Sequence, residues 1–572
     1  MPGTWKPLTN QPTFNVSTMI LLTDGRVMVQ EEATANWYAL TPDANGSYIK
    51  GTWSSLAAMS FWRRYYASGI LKDGRVIVIG GEQSGAGGDT NKGEIYNPVT
   101  NTWSPIALPP WATVGDAACC ILPDGRLMIG ALLTGACEIY DPVTNSWSPA
   151  GSAAIRTNEE SWTLLRDNTI VTPQNFPPYQ SEKYNFATNT WKNEGALPVT
   201  VVDPVMAEIG PGMLMYNDKV IYFGAANSGG YGKTALYTPP ALPTGTGTWA
   251  AGPDIPHTAA GPTLVSNDCP AALLPNGNVL FTAAPFLHNN WGSPVSFFEY
   301  DPATNTITAV PAPANNGQVI YSSRMILLPT GEVMFGQWTH GMQVYQPTGG
   351  PNPVWKPTIS SVTHLGLFTS NYLLKGTKLN GLSQACTYGD DCSPATNYPL
   401  VRLKNLATGH VYYARTYAFS TRALAASGLM SCQFTVPPTA PFGHYQLCVI
   451  ANGISSHCVT FTYEHPVLKS RFIDSTLVLK EEFEHYGKLI AEGDPWDRQD
   501  WVINPVIQEL ADRLETLQSS IAETQSLIRS QQLPEVGKQV AQAAFQEVVA
   551  AKVQDAKPRQ SDETETEAED KK

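Results

Sequence analysis

Short apolar runs recur in pairs through the first two thirds of the chain, and a turn signal separates the two runs of each pair. The turn residues are Asp-Gly, Asn-Gly or close relatives, which tolerate the positive φ that a tight β-hairpin requires. Both runs are apolar at nearly every position, as is typical of strands covered on both faces. The pattern therefore predicts a repeated unit that is one small antiparallel sheet. The turn pairs are Asp24-Gly25, Asp73-Gly74, Asp124-Gly125, Asp167-Asn168, Asn217-Asp218, Asn276-Gly277 and Thr330-Gly331.

The spacing of the turn pairs indicates the type of repeat. Successive pairs lie 49, 51, 43, 50, 59 and 54 residues apart by subtraction, near the period of about 50 residues expected for kelch-type propeller blades. A position that is Trp in all but one case recurs with the units, and eight such positions accompany the seven turn pairs. We expect a strand near Trp5 to complete the last blade and close the ring, so that no sheet edge stays unpaired. The eight positions are Trp5, Trp53, Trp103, Trp147, Trp191, Trp249, Ile307 and Trp355.

The repeat ends after Trp355, and two segments with different sequence patterns follow. Residues 358–463 carry short alternating runs separated by turn signals, which is the size and pattern of an immunoglobulin-like β-sandwich. Residues 464–555 turn to a helical pattern, and the acidic residues 556–572 should form a disordered tail. The predicted fold is all-β: a seven-bladed kelch-type β-propeller over residues 1–357, the immunoglobulin-like sandwich, and a C-terminal α-helical, coiled-coil extension.

The helical region carries a short heptad seam. The seam predicts that the C-terminal helices join copies of the protein into a homo-oligomer or dock it onto a larger assembly. The alternative is an intramolecular helix pair, because a second amphipathic stretch follows Pro534 and could fold back on the first. The candidate oligomerisation residues are Ile503, Ile507, Leu510, Leu514, Leu517, Ile521 and Ile528.

Composition and charge argue against some classes of binding partner. The net charge of -13 and the pI of about 5.2 argue against a nucleic-acid backbone, which needs clustered Lys and Arg. No apolar run reaches the roughly 18 to 20 residues of a membrane-spanning helix. The first residues lack the pattern of a signal peptide, so a cytoplasmic location is the default expectation.

The nine Cys residues match no zinc pattern. Cys119, Cys120, Cys137 and Cys269 read as thiols buried in strands. In the later part of the chain, a disulfide could join Cys386 to Cys392 or Cys448 to Cys458.

Seven kelch-like repeats followed by an immunoglobulin-like domain resemble the galactose oxidase and glyoxal oxidase group, copper radical oxidases with an early-set domain behind the propeller. The resemblance implies copper ligands about eight residues before particular turn pairs, at the mouth of the central channel. Tyr65 falls at the radical tyrosine and Tyr321 at the axial tyrosine. The remaining positions correspond to Ser322 for a histidine, Val16 for the thioether cysteine, Gln83 for the stacking tryptophan and His410 as the nearest candidate for the last histidine.

The copper set implied by this resemblance is incomplete in the chain. Two tyrosines without the cysteine and the first histidine hold copper poorly, because imidazole is its usual protein ligand. We therefore expect no copper, no other cofactor, no resident metal and no catalytic residues.

The position eight residues before each turn pair also predicts a binding site. It is acidic in three repeats, and Glu208 lies one residue from it in a fourth. If the inner strands share one register, these side chains converge on the channel mouth, where they could bind a cation or a basic group. The alternative is a solvated acidic rim without a ligand. The candidate ligand-binding residues are Tyr65, Asp116, Glu159, Glu208, Asp268, Tyr321 and Ser322.

Together these features favour a non-catalytic propeller that recognises a glycan or protein ligand and oligomerises or docks through its C-terminal helices. One alternative is an oxidoreductase related to the copper radical oxidases with a remodelled site. Another is a purely structural component of a larger assembly.

Overall fold

The computed structural model describes residues 2–464, apart from 83, 86, 156–158, 204, 226–229, 258–260, 288–289, 366–368, 389–393 and 426–427. The chain divides into two compact units, Met1–His364 with Asn371–Thr462 and Leu365–Ser370 with Tyr463–Lys572. All the architecture below belongs to the first unit, except the last residue of its final strand. The predicted C-terminal helices, the seven heptad residues and the acidic tail lie outside the described residues. No helix among the described residues is long and apolar enough to span a bilayer.

Seven antiparallel sheets form the propeller, as the repeat predicts. Blades one to five are β2–β5, β6–β9, β10–β13, β14–β17 and β18–β21; blade six is β23–β26, and blade seven is β27–β29 with β1. The strands are β1 (Thr4–Pro7), β2 (Val16–Leu21), β3 (Val27–Glu31), β4 (Trp37–Thr41), β5 (Thr52–Leu56), β6 (Ala67–Ile70), β7 (Val76–Ile79), β8 (Gly93–Asn97), β9 (Thr102–Pro105), β10 (Cys119–Ile121), β11 (Leu127–Gly130), β12 (Cys137–Asp141), β13 (Ser146–Pro149), β14 (Thr163–Leu164), β15 (Thr169–Pro173), β16 (Gln180–Asn185), β17 (Thr190–Ala196), β18 (Gly212–Leu214), β19 (Val220–Phe223), β20 (Thr234–Thr238), β21 (Thr248–Ala251), β22 (Leu264–Val265), β23 (Ala271–Leu273), β24 (Val279–Pro285), β25 (Ser296–Asp301), β26 (Thr306–Val310), β27 (Arg324–Leu327), β28 (Val333–Gly336) and β29 (Met342–Gln346). Two short 3-10 helices cover Ile320–Ser322 and Pro353–Trp355.

The turn pairs form the hairpins that join the two inner strands of each blade. In blade two, Gly74 has a φ of 81°, a conformation that glycine adopts without the strain a side chain would cause. The Asp73 carboxylate accepts a hydrogen bond from the Arg75 backbone N–H at 3.0 Å and forms an ion pair with the Arg75 side chain. The turn is therefore fixed by residues within it, which is why its sequence signal is strong.

The inner strands are buried on both faces because neighbouring blades pack against them. Every residue of β7 is buried, whereas the outermost strand of the same blade, β9, is mostly exposed. This gradient agrees with the apolar runs that flank each turn pair.

The N-terminal strand closes the ring, as predicted. In β1, Thr4 pairs with Gln346 and Trp5 pairs with Tyr345 of β29. The extra aromatic position in the sequence is Trp355, which lies outside the blades and stacks on Tyr216 with ring centroids 4.3 Å apart.

The repeated tryptophans form hydrogen bonds between neighbouring blades. In several blades the indole N–H donates to a backbone carbonyl in the segment that follows the preceding blade's outermost strand. An intramolecular hydrogen bond contributes on the order of 1 kcal/mol. The pairs are Trp103 with Ala57 at 2.9 Å, Trp147 with Ala107 at 2.7 Å and Trp5 with Pro311 at 2.6 Å.

A second all-β domain follows the propeller. Its β34 pairs with β33 through one half and with β35 through the other, so it connects the two parts of the sheet. The Cys448–Cys458 disulfide is present. Cys392 lies outside the described residues, so a Cys386–Cys392 bridge stays a prediction, as does the immunoglobulin-like class of the domain. The strands are β30 (Thr358–His364), β31 (Asn371–Thr377), β32 (Cys386–Thr387), β33 (Leu400–Asn405), β34 (Val411–Tyr417), β35 (Met430–Thr435), β36 (Gly443–Ala451), β37 (Ile454–Ser455) and β38 (Val459–Tyr463).

The second domain packs on the end of the propeller that carries the hairpin turns. The backbone N–H groups of Thr416 and Phe419 donate to the carbonyls of Thr23 and Lys72, which precede the turn pairs of blades one and two.

One part of the second domain, residues 382–388 and 394–398, enters the propeller channel; we call it the channel segment. Its β32 adds to the innermost strand of blade six, where Cys386 pairs with Ala272. The Gln384 side chain accepts a hydrogen bond at 3.0 Å from the backbone N–H of Leu164, on the innermost strand of blade four. The channel segment thereby connects blades on different sides of the axis.

Candidate ligand-binding site at the channel mouth

The channel mouth is the end of the propeller opposite the hairpin turns, where the innermost strands begin. Tyr65 lies just before β6, and Tyr321 lies in the 3-10 helix that precedes β27. Their rings meet edge to face, with centroids 6.4 Å apart and planes at 78°. The propeller thus brings together two tyrosines that are 256 residues apart in sequence, by subtraction of the two residue numbers.

Two tryptophans join the tyrosines to form the aromatic cluster, defined as Tyr65, Trp291, Tyr321 and Trp338. The Tyr321 ring lies edge to face with Trp291 at 5.2 Å and with Trp338 at 5.3 Å. Trp338 also contacts the Tyr65 ring at 6.3 Å. All four side chains are half-buried, so the cluster is packed on itself and still borders the solvent. Tyr321 is its centre, because its ring contacts the other three.

A buried ion pair fixes the segment that carries Tyr65. The Arg63 guanidinium is fully buried and lies 2.9 Å from a Glu94 carboxylate oxygen, and it also donates to the Lys92 carbonyl at 2.6 Å. Burial lowers the pKa of Arg63, and the charge of Glu94 opposes that shift. Tyr65 itself has a φ of 48°, a left-handed conformation that is rare outside glycine and is sustained by such surrounding contacts.

Charged side chains surround the aromatic cluster. The Arg64 guanidinium lies over the Trp338 ring, 4.7 Å from its centroid, and pairs with Glu32. Burial raises the pKa of Tyr65 above its ordinary value, and the charges of Asp268 and Asp116 raise it further, whereas the Arg324 charge lowers it. The charges of carboxylates from blades three and six thus both disfavour ionisation of the Tyr65 hydroxyl.

Among the predicted site residues, the rings of Tyr65 and Tyr321 are in contact, and the charges of Asp116 and Asp268 raise the pKa of Tyr65. These four residues come from blades two, three, six and seven, and Asp116 is buried. Asp268 has a φ of 49°, so its backbone, like that of Tyr65, is left-handed at the start of an inner strand.

The other three predicted residues are Glu208, Glu159 and Ser322. Glu208 is buried, and the carbonyl of its neighbour Ile209 accepts a hydrogen bond from the Asp268 N–H at 2.9 Å. The Glu159 carbonyl accepts a hydrogen bond from Asn175 at 2.9 Å. The Ser322 hydroxyl donates to the Val319 carbonyl at 2.7 Å, within its own helical turn.

Three residues at the mouth were not predicted: Trp291, Trp338 and Arg324. A signal for the tryptophans exists in the sequence, since both fall outside the repeated aromatic position that serves blade packing. Arg324 begins β27 and donates to the Tyr321 carbonyl at 2.7 Å. An arginine at a strand start is unremarkable by sequence, so nothing there distinguished it.

The second domain also contributes to the mouth. The Tyr388 hydroxyl of the channel segment donates to the Tyr321 carbonyl at 2.5 Å. His410, the candidate for the last histidine of the resembled family, instead stacks on Tyr412 at 4.2 Å, and its carbonyl accepts a hydrogen bond from the Asn405 N–H. These contacts place it at a hairpin of the second domain.

The described residues do not fit the copper site that the resemblance implies. Val16, at the position of the cysteine, is a buried residue of β2, and Ser322 replaces the imidazole. Gln83 lies outside the described residues. Among the side chains that the structure describes, no group of three or more His, Cys, Asp or Glu could hold a metal ion. Among the described residues, the mouth supplies two phenols without the sulfur and nitrogen partners that copper would need.

A cavity of about 300 Å³ lies away from the mouth, between the turn pairs of blades four and five. Its walls include Leu165, Leu214 and Pro239, and Arg166 and Asp218 form an ion pair beside it. None of the predicted site residues lines this cavity. Aromatic surface and polar groups lie together at the channel mouth instead. This combination is typical of a ligand-binding site.

The comparisons with known proteins agree with the propeller architecture. The Kelch motif matches residues 63–107, which are blade two with its lead-in. One similar solved structure is a novel fungal alcohol oxidase of the AA5 family in complex with copper: identity is 14%, 80% of this chain and 99% of that chain are covered, and the TM-score is 0.49.

A second similar structure, a streptogramin B lyase, shares 13% identity over 61% of this chain and 99% of the other, with a TM-score of 0.42. No curated protein sequence matches the chain. At these values the structural similarities say nothing about what the chain binds or transforms. The chain is a kelch-type propeller protein.

Proposed function

We propose that this protein is a non-catalytic binding protein that recognises a glycan at the channel mouth. The observation that carries the proposal is the aromatic cluster of four half-buried rings, one of which, Tyr65, is acted on by the charges of Asp116 and Asp268. A sugar ring offers apolar C–H faces and many hydroxyl groups. Aromatic rings contact the first, and carboxylates, guanidinium groups and phenols pair with the second.

Loss of a cluster ring should weaken glycan binding. We expect Trp338→Ala to reduce affinity about tenfold or more on a glycan array, because removal of a central aromatic anchor typically has this effect. Trp111→Ala is the matched control, since Trp111 is also half-buried but packs on the core of blades two and three. Equal binding by wild type and Trp338→Ala to every glycan retained by the array would contradict the proposal.

The same glycan array also tests the role of the carboxylates. Replacing Asp116, Glu159 and Asp268 together by Asn, Gln and Asn should weaken the same interaction if they pair with ligand hydroxyls. Unchanged binding would assign the acidic residues to a solvated rim. A protein ligand in place of a glycan would appear as retention of protein partners and no glycan signal, with the same dependence on Trp338.

A second candidate function is an oxidoreductase with a remodelled site, and the edge-to-face pair of Tyr65 and Tyr321 favours it. Elemental analysis after copper addition, together with peroxide detection during incubation with alcohols and aldehydes, separates the two candidates. Stoichiometric copper and peroxide production that Tyr65→Phe abolishes would replace the binding proposal. A purely structural role would leave both the array and the peroxide assay without signal.

A further inference from the structure

Tyr321 occupies the centre of the aromatic cluster, and its backbone is held from two directions. From the propeller, the Arg324 guanidinium donates to the Tyr321 carbonyl at 2.7 Å and to the Ser323 carbonyl at 2.8 Å. From the second domain, the Tyr388 hydroxyl donates to the same Tyr321 carbonyl at 2.5 Å. A carbonyl oxygen has two lone pairs, so these two donors use its full capacity.

Arg324 and Tyr388 are also bound to each other. The Arg324 guanidinium carbon lies 3.9 Å from the centroid of the Tyr388 ring, a cation–π contact whose strength increases as water is excluded. Tyr388 is 1% exposed and Arg324 is 4% exposed. The Arg324 and Tyr388 side chains therefore form one buried unit that holds the carbonyl of the half-buried Tyr321.

Tyr388 belongs to the second domain, whereas Arg324 and Tyr321 belong to the propeller. The channel segment is anchored to the propeller along its length: β32 pairs with blade six, Gln384 bonds to blade four, and the Tyr398 hydroxyl donates to the Leu21 carbonyl of blade one. Its backbone is thus fixed by the channel wall before it reaches the mouth. Because the channel segment is fixed, the Tyr388 hydroxyl also fixes the Tyr321 carbonyl to which it donates.

We infer that Tyr388 and Arg324 are positioning residues for the mouth, and that the second domain thereby sets the geometry of the aromatic cluster from inside the channel. Neither residue needs to touch a ligand. The consequence for binding rests on the proposed function, whereas the consequence for the cluster's geometry does not depend on it.

Tyr388→Phe tests the inference with a close control. The variant keeps the ring beneath Arg324 and removes only the hydroxyl bond to Tyr321. Tyr398→Phe makes the same chemical change in the same segment, at a hydroxyl that donates to a backbone carbonyl of blade one. Both variants lose one buried hydrogen bond, so a general loss of stability affects them alike.

Fluorine NMR of full-length protein labelled with 5-fluorotryptophan reads the cluster directly. The Trp291 and Trp338 resonances are assigned by their loss in Trp291→Phe and Trp338→Phe. We expect Tyr388→Phe to shift both resonances and to leave those of Trp103 and Trp147 in place, and Tyr398→Phe to leave all four. Unmoved Trp291 and Trp338 resonances in Tyr388→Phe, or equal shifts in both variants, would overturn the inference.

Glycan-array binding then connects geometry to function. We expect affinity for the best-retained glycan to fall about fivefold in Tyr388→Phe, the effect of one hydrogen bond, and to be unchanged in Tyr398→Phe. Shifted resonances with no glycan bound by any variant would support the positioning role and remove the glycan proposal. Bound glycan with equal affinity for both variants would remove the functional part of the inference and keep the proposed function.

Discussion

Glu194 is a fully buried charged residue of blade four. It and Lys183 have fully buried side chains whose charged atoms lie 2.9 Å apart. The carboxylate also accepts hydrogen bonds from the Tyr237 hydroxyl at 2.8 Å and the Gly247 N–H at 2.7 Å, both in blade five. Burial alone raises the pKa of Glu194, but the hydrogen bonds from Lys183, Gly247 and Tyr237 outweigh it and lower the pKa below its ordinary value.

Glu194→Gln should destabilise the protein strongly at neutral pH. The amide leaves the Lys183 ammonium group buried without its counter-charge, which typically costs about 3 to 5 kcal/mol. A carboxylate with a lowered folded-state pKa stabilises above its unfolded pKa and loses that contribution as pH falls through the folded value. The free-energy difference from wild type, measured by urea unfolding, should therefore shrink when the pH falls below 4.5, the ordinary value.

Asp254→Asn is the control for this prediction. Asp254 pairs with Lys233 at 2.7 Å, but the two side chains are 47% and 30% exposed, and exposed pairs contribute about 0 to 1 kcal/mol. Equal effects of the two substitutions, or a Glu194→Gln effect independent of pH, would contradict the account of Glu194 as a buried link between blades.

Among the elements, two tryptophans that hold equivalent positions in the repeat have different structural roles. Trp5 lies in β1, and its ring contacts Phe297 at 5.1 Å and Tyr345 at 4.9 Å. Trp355 lies in a 3-10 helix after the last blade and stacks on Tyr216. The first ring belongs to the closure of the propeller, whereas the second covers its surface.

Trp5→Ala should therefore destabilise the protein more than Trp355→Ala. We expect about 3 to 5 kcal/mol for Trp5→Ala, since it removes a packed ring and an indole hydrogen bond at the closing strand. For Trp355→Ala we expect roughly 1 to 2 kcal/mol from lost burial and stacking. Thermal unfolding of the two variants, in parallel, measures the difference. A larger loss in Trp355→Ala would mean that β1 contributes little to closure.

The elements differ in how far the sequence predicted them. Blade hairpins were predictable because Asp73 and Gly74 form their turn through contacts within a few residues, and the same signal recurs. Tyr65 and Tyr321, whose rings are in contact, hold nearly the same position in the same period. Trp338 and Tyr388 were not predicted, because Trp338 lies in a loop of irregular length and Tyr388 in a segment outside the repeat. Their positions depend on contacts between distant parts of the chain.

At the scale of the whole molecule, the heptad residues still predict self-association. Removing residues 495–572 should convert an oligomer to a monomer, as measured by light scattering coupled to size-exclusion chromatography. The paired change Leu510→Asp and Leu514→Asp should do the same in the full chain, because charges in a heptad seam prevent its packing. An unchanged mass in both would favour the intramolecular helix pair.

Closure by β1 also determines the order in which the propeller can be completed during synthesis. The Gly3 N–H that donates to the Tyr345 hydroxyl is separated from it by 342 residues. On the ribosome, β1 emerges long before β29, so the nascent ring stays open with two unpaired edges, which are sites for aggregation. Joining them is a contact of very high sequence separation, and such contacts slow folding. The pairing that completes blade seven therefore forms late, because β1 must wait for β29 to be synthesised.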